Sequence, residues 1–313
     1  MPVRESDYAE IARRAHSAGI GNTPLREVYS RGNVRIFAKF EGFNRFGSVK
    51  DRPAFFMLSA AEIDGRLARG KEVIEASSGN TGIALAYISK VMGYRATIFV
   101  PASSSEETRR KLTGSGQRIV EVEDENSRRG RINIDASLNK LKEVMQSDPD
   151  RYVNLDQYSN PSNFKSHFYT TGPEVIDKGE EIDYLVTGIG TGGTVTGVGM
   201  FLKHVNARTS VVAVEPDPDH HIQGLKNLKA SSVPRTLEDN RNIVDDWVRV
   251  GDSDAFQGVM ELKGMGFDVG LSSGANYMAS VSLAGKIKAG TILTVFPDGA
   301  EKYQSIYRQK GII

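Results

Sequence analysis

Short apolar runs of strand length recur along the chain, separated by longer stretches with helical spacing. VRIFAKFE (34–41), EVIEAS (72–77), RATIFVP (95–101), RIVEVE (118–123), DYLVTG (183–188), SVVAVEP (210–216) and TILTVFPDG (291–299) are rich in β-branched residues and read as strands. Between them, PAFFMLSAAEIDG (53–65), TGIALAYISKVMG (81–93), SEETRRKLTGSG (105–116) and VTGVGMFLKHV (195–205) read as helices. Pro53 falls in the first turn of one helix, and a glycine closes another. This alternation predicts an α/β protein whose parallel sheets are covered by helices on both faces. Ligands of such sheets sit beyond the carboxyl ends of the strands, so chemistry is sought in the loops there.

Four loops qualify. In GFNRFGSVKDRPAFFML (42–58), Lys50 stands between a small-residue turn and an apolar helix, a junction that points a long amine at whatever the loop encloses. In EASSGNTGIALA (75–86), Ser77, Ser78, Asn80 and Thr81 gather at a helix start, which suits either capping or the seating of a carboxylate. GIGTGGTVTG (188–197) has the composition of a phosphate cradle: glycines admit close backbone approach, and Thr191 and Thr194 add hydroxyls. Gly188, Gly190 and Gly193 also satisfy the dinucleotide-binding pattern, with Glu215 near the place of a ribose-binding acid, so a nicotinamide-dependent dehydrogenase competes. GLSSGANYMAS (270–280) reads as a Gly/Ser turn before a helix, and YSNPSN (158–163), preceded by Gln157, as a polar turn leading to a helix start at TTGPEV (170–175).

The chain of 313 residues can hold two lobes. With 39% apolar and 25% charged residues and a net charge of +1, there is no electrostatic case for nucleic acid or an anionic membrane. No apolar run is of spanning length and the N-terminal stretch MPVRESDYAEIARRAH lacks a signal-peptide centre, so a cytoplasmic location is expected. The absence of cysteine excludes disulfides, thiolate metal sites and cysteine nucleophiles, and the five histidines, including adjacent His220 and His221, show no metal-ligand spacing. No metal is expected.

A reactive lysine, an anion-seating loop and a monophosphate cradle together fit pyridoxal 5′-phosphate, which needs an amine for its aldehyde, a home for its phosphate and a partner for its ring nitrogen. At this point the sequence resembles the fold-type II pyridoxal-phosphate enzymes of the cysteine synthase and cystathionine β-synthase group, which are tryptophan synthase β-like in fold. The resemblance runs in order through IGNTPL (20–25), FGSVKDR (46–52), SSGNTG (77–82), QYSNPSN (157–163), TTGPE (170–174), GIGTGGTVTG (188–197), EP (215–216), IQGL (222–225), GLSSGA (270–275) and PDGAEKY (297–303). It implies that Lys50 is the Schiff-base lysine and that Asn80 bonds the cofactor's 3′-oxygen. It further implies that Gly190, Thr191, Gly192, Gly193 and Thr194 hold the phosphate and that Ser272 faces the ring nitrogen. Ser77, Ser78, Thr81 and Gln157 would grip the amino acid carboxylate.

The activity implied is β-replacement on an activated serine, O-acetylserine or O-phosphoserine, by sulfide or another sulfur donor, giving L-cysteine through an aminoacrylate. Lys50 would serve as the base, and the lobe carrying SSGNT would close over the amino acid. Cystathionine formation from serine and homocysteine, or β-replacement with an amine nucleophile, are the near alternatives; a catalytically idle homologue is a remote one. The segment HHIQGLKNLKASSVP (220–234) is most similar to phosphoserine-using cysteine synthases, which implies that Lys226 meets a substrate phosphate, with lysine in place of the family's arginine. Where the family reads Asn-Pro-(Thr/Ser)-Gly-Ser before the lysine, this chain has Asn44-Arg45-Phe46-Gly47-Ser48, and Arg45 either faces an anionic substrate or is solvated. The chain ends at Ile313, which disfavours a long, haem-regulated synthase. The expected lobes are 43–154, smaller and mobile, and 1–42 with 155–313, larger and carrying the cradle; a homodimer is implied by the family.

Overall fold

Strand β10 (Ala289–Phe296) has its last five residues buried and lies inside a six-stranded sheet. A strand covered on both faces needs such a continuous apolar run. The computed structural model describes residues 2–123 and 134–313. In the six-stranded sheet the order is β1 (Leu25–Arg31), β2 (Asn33–Phe40), β10, β7 (Tyr184–Gly188), β8 (Ser210–Pro216) and β9 (Asp246–Val250). All neighbours are parallel except β1, which runs antiparallel to β2 on the edge. A second, four-stranded parallel sheet has the order β5 (Arg118–Val122), β4 (Arg95–Pro101), β3 (Glu72–Ala76) and β6 (Tyr152–Asn154). The protein is thus α/β with two mainly parallel sheets flanked by helices, as the alternation of the sequence predicts.

Eight helices matter for the argument: α1 (Glu5–Ser17), α2 (Asp51–Ile63), α3 (Asn80–Val91), α4 (Glu106–Gly114), α5 (Asp135–Ser147), α6 (Gly193–Val205), α7 (Asp252–Gly264) and α8 (Leu271–Ala284). The apolar face of α1 (Tyr8, Ile11, Ala15) joins a core with Phe56 and Leu58 of α2, Leu85 of α3 and Ile98 of β4. Residues near the N-terminus therefore share their core with the four-stranded sheet. Among the described residues no helix is long and apolar enough to cross a membrane.

One expectation is corrected here. GLSSGANYMAS is not a turn before a helix but the beginning of α8 itself, which starts at Leu271. Its Gly274 serves helix packing: a Cβ there would stand 2.1 Å from the carbonyl oxygen of Ala255 in α7, so the two backbones could not approach as they do.

A buried ionic cluster fixes the start of α2. The Arg52 guanidinium is fully buried and bonds Glu41 (2.6 and 2.8 Å) and Glu174 (2.6 and 2.8 Å), while Lys39 reaches Glu174 at 2.7 Å. Two cations and two carboxylates balance, and both sides of the guanidinium fork are used.

Candidate active site

The loops after β2, β7, β10 and β3 converge on one cleft. Lys50 directly precedes α2, and its backbone is held on both sides. Gly47 takes φ +91°, a left-handed conformation that glycine adopts without a Cβ clash. The Val49 N–H donates to the Pro297 carbonyl at 2.8 Å, and the Phe46 N–H to Asp51 Oδ2 at 2.6 Å. Burial pushes the Asp51 carboxyl up to about 7 despite that bond. The Lys50 side chain lines the cleft. Burial, foremost, brings its ammonium down from 10.5 to about 8; Asp298 opposes that shift and Lys302 adds to it. A neutral amine is thus accessible near physiological pH, which both nucleophile and base require.

The glycine loop after β7 forms the facing wall. Gly192 has φ +82° and precedes the first residue of α6. A Cβ on Gly190 would lie 2.2 Å from the Gly224 carbonyl oxygen, and one on Gly193 2.0 Å from Asn163 Oδ1. The first amides of α6 have no intrahelical acceptor, and the helix dipole favours an anion before them. Asn163 Nδ2 donates to Thr191 Oγ1 at 2.9 Å, and Thr194 Oγ1 lies 3.3 Å from His167 Nε2. Burial, then the Arg52 charge, lowers His167 to about 3, so this imidazole stays neutral.

Asn80, the first residue of α3, and Ser272, the second of α8, complete the walls. Lys50, Asn80, the 190–194 loop and Ser272 are therefore brought together, from both sheets. Ser77, Ser78, Thr81, Gln157 and Lys226 are not on the walls of this cleft. Ser77 Oγ accepts the N–H groups of Gly79 and Gly82 (3.3 and 2.9 Å), a capping role, and the adjacent Ser78 is half-buried. Thr81 donates to Gln157 Oε1 at 2.7 Å, joining two of the expected carboxylate ligands across the chain. Lys226 is half-buried, with Nζ 4.5 Å from the centre of the Tyr158 ring.

Other charged candidates have structural partners. Glu215 accepts the Leu228 N–H at 2.7 Å, which removes the acid that a ribose-binding reading requires. Arg45 is exposed, stacks over Phe46 and donates to the Ala18 carbonyl at 3.0 Å. His221 pairs with Asp252 at 2.8 Å.

Sequence reasoning gave no role to Asp298 and Lys302, although both lie in the PDGAEKY block. Asp298 Oδ2 accepts from Asn80 Nδ2 (2.7 Å), Lys302 Nζ (3.0 Å) and Tyr303 OH (3.0 Å), and Lys302 Nζ also donates to Asn80 Oδ1. Asn163 and His167, behind the glycine loop, were missed as well.

Known enzymes resemble this chain over most of its length. A family model described as "Pyridoxal-phosphate dependent enzyme" matches residues 16–298. The chain is 40% identical over 297 residues to a cysteine synthase from Aquifex aeolicus, covering 91% of this chain and 88% of that protein. It is 35% identical over 300 residues to a cysteine synthase from Staphylococcus aureus, covering 91% and 94%. Among solved structures, O-acetylserine sulfhydrylase isoform 3 from Entamoeba histolytica superposes with a TM-score of 0.85 at 32% identity, covering 96% of this chain and 91% of that one.

Proposed function

The chain belongs to the pyridoxal-phosphate dependent enzymes, and from that premise we propose that it makes L-cysteine from O-acetylserine and sulfide, releasing acetate. The observation that carries this reading is the convergence of Lys50, Asn80, the 190–194 loop and Ser272 on a single cleft. The residues fit the cofactor. A loop whose Gly190 and Gly193 pack too closely on Gly224 and Asn163 to carry a Cβ, set at a helix start, suits a phosphate monoester. Lys50 supplies an amine made available by burial, and Ser272 a hydroxyl in place of a carboxylate for the ring nitrogen.

Bound pyridoxal phosphate supplies an electron sink for the charge left at the amino acid's Cα. Lys50 takes the Cα proton and later returns it to the same carbon. Between those transfers the Cβ–O bond breaks, acetate leaves, and sulfide forms the new Cβ–S bond. The Ser77–Thr81 turn with Gln157 holds the amino acid carboxylate, and the 43–154 lobe closes to keep water from the reacting carbon. Support for the grip is the Thr81–Gln157 bond, which already ties the turn to the far side. The enzyme acts in the cytoplasm as a homodimer on small-molecule substrates.

The test is a substrate matrix: O-acetylserine, O-phosphoserine and serine, each with sulfide and with homocysteine. Cysteine formed fastest from O-acetylserine and sulfide is the expected result. Faster cystathionine formation from homocysteine would overturn the assignment of the sulfur donor.

A further inference from the structure

Asn80 is fixed in the structure by two charged groups of opposite hydrogen-bonding character. A lysine ammonium only donates, and a carboxylate only accepts. Lys302 Nζ donates to Asn80 Oδ1, and Asn80 Nδ2 donates to Asp298 Oδ2 at 2.7 Å. Rotating the amide by half a turn would set its NH2 against the ammonium and its oxygen against the carboxylate. The amide therefore has one orientation, with one Nδ2 hydrogen on Asp298 and the second not used by that bond, on a residue that lines the cleft.

This pair is nearly fully buried, with side-chain exposures of 5% for Lys302 and 1% for Asp298. Burying such a pair contributes little net stability, because desolvation offsets the attraction. What it supplies is orientation. The segment that carries it also meets the lysine loop and α8: Val49 N–H donates to the Pro297 carbonyl at 2.8 Å, and Gly270 N–H to the Asp298 carbonyl at 3.0 Å. One short turn after β10 thus sets Lys50, Asn80 and the start of α8 relative to one another.

We infer that Lys302 and Asp298 are positioning residues that lock the Asn80 amide with an N–H facing the cofactor's 3′-oxygen. This rests on the reading of Asn80 as a cofactor ligand. Donation from Lys302 to Oδ1 also polarises the amide and strengthens the N–H that faces the cleft.

The experiment is a double-mutant cycle of Lys302→Met and Asn80→Ala. It follows cofactor dissociation from the loaded enzyme and the ratio of its long- to short-wavelength absorption bands. With Asn80 present, Lys302→Met weakens cofactor binding roughly three- to tenfold, the range of one lost hydrogen bond, and lowers the band ratio. In the Asn80→Ala background, Lys302→Met loses most of its effect on both quantities and keeps only the share that its charge exerts on Lys50. Lys302→Arg, which still only donates, restores the band ratio. Should Lys302→Met not fold, Asp298→Asn replaces it in the cycle with the same expectations, since an amide there can donate as well as accept. Equal effects with and without Asn80, or no effect with Asn80 present, overturn the inference while leaving Asn80 a ligand. If Asn80→Ala alone changes neither binding nor spectrum, the reading of Asn80 falls, and this inference with it.

Discussion

Arg52 and Glu174 lie 122 positions apart in sequence and meet through two hydrogen bonds, from Nη1 at 2.6 Å and Nη2 at 2.8 Å. The same guanidinium grips Glu41, so the start of α2, and with it the backbone at Lys50, is tied to β2 and to the segment 172–176. Arg52→Met leaves two buried carboxylates with only Lys39 and neutral partners. Breaking one side of such a cluster costs about 3–5 kcal/mol, which urea denaturation reads directly.

The cluster also sets an acid limit. Burial works against the Glu174 charge, yet the Arg52 hydrogen bonds and charge, with His16 and Lys39, hold its carboxyl well below the usual range. A carboxylate depressed in the native state contributes stability above its unfolded pKa, and that contribution is lost as pH falls through the native value. Removing Arg52 raises the native value, so the acid-denaturation midpoint of Arg52→Met should move to higher pH. A midpoint that stays in place would show that Arg52 does not hold these groups charged.

Lys50 carries a second pH prediction. Its ammonium is brought to about 8 by burial, with Asp298 opposing and Lys302 assisting. Only the neutral amine attacks an aldehyde. The rate at which cofactor-free protein captures pyridoxal phosphate should therefore rise through about pH 8 rather than near the ordinary lysine value of 10.5. Asp298→Asn removes a charge that favours the ammonium and should shift the inflection lower. Lys50→Ala should abolish covalent attachment, read by mass spectrometry after reduction, and reduce turnover by about two to four orders of magnitude.

The glycine loop gives a steric prediction. Gly190→Ala places a Cβ 2.2 Å from a backbone oxygen, that of Gly224, which no rotamer change relieves. Overpacking of this kind costs about 1–3 kcal/mol, so cofactor affinity should fall roughly tenfold or more. Gly264→Ala is the control: nothing lies within 4 Å of its Cβ, and cofactor titration should be unchanged.

Much of this architecture was legible because the relevant loops join an apolar strand to a helix, where composition and position reinforce each other. The SSGNT and GIGTGG loops could be read that way, and so could Lys50 before a proline-started helix. Strands β1 and β9 were not legible, since their exposed edge positions are polar and break the apolar run. GLSSGANYMAS misled because glycine at 274 serves packing between α7 and α8 rather than a turn. Asp298 and Lys302 carry no periodic signal; their meaning comes from meeting Asn80, 218 and 222 positions away. The Ser77 hydroxyl shows the converse, a residue whose capping bonds are local and whose substrate role is read by substitution and kinetics.

Lys226 provides that kind of test for the leaving group. Its backbone N–H donates to the Ile189 carbonyl at 2.7 Å, beside the glycine loop, and its ammonium rests on the ring of Tyr158, the neighbour of Gln157. Burial lowers its pKa and Asp135 opposes that shift. A cation so placed can meet a substrate phosphate as the amino acid settles against the SSGNT turn, whereas an acetyl ester offers it no charge. Lys226→Met should then lower kcat/KM for O-phosphoserine roughly tenfold, the range of a hydrogen bond to a charged group, and leave O-acetylserine within about twofold. Raising the salt concentration should narrow the first effect and spare the second. Equal losses on both substrates would assign Lys226 to packing against Tyr158 alone.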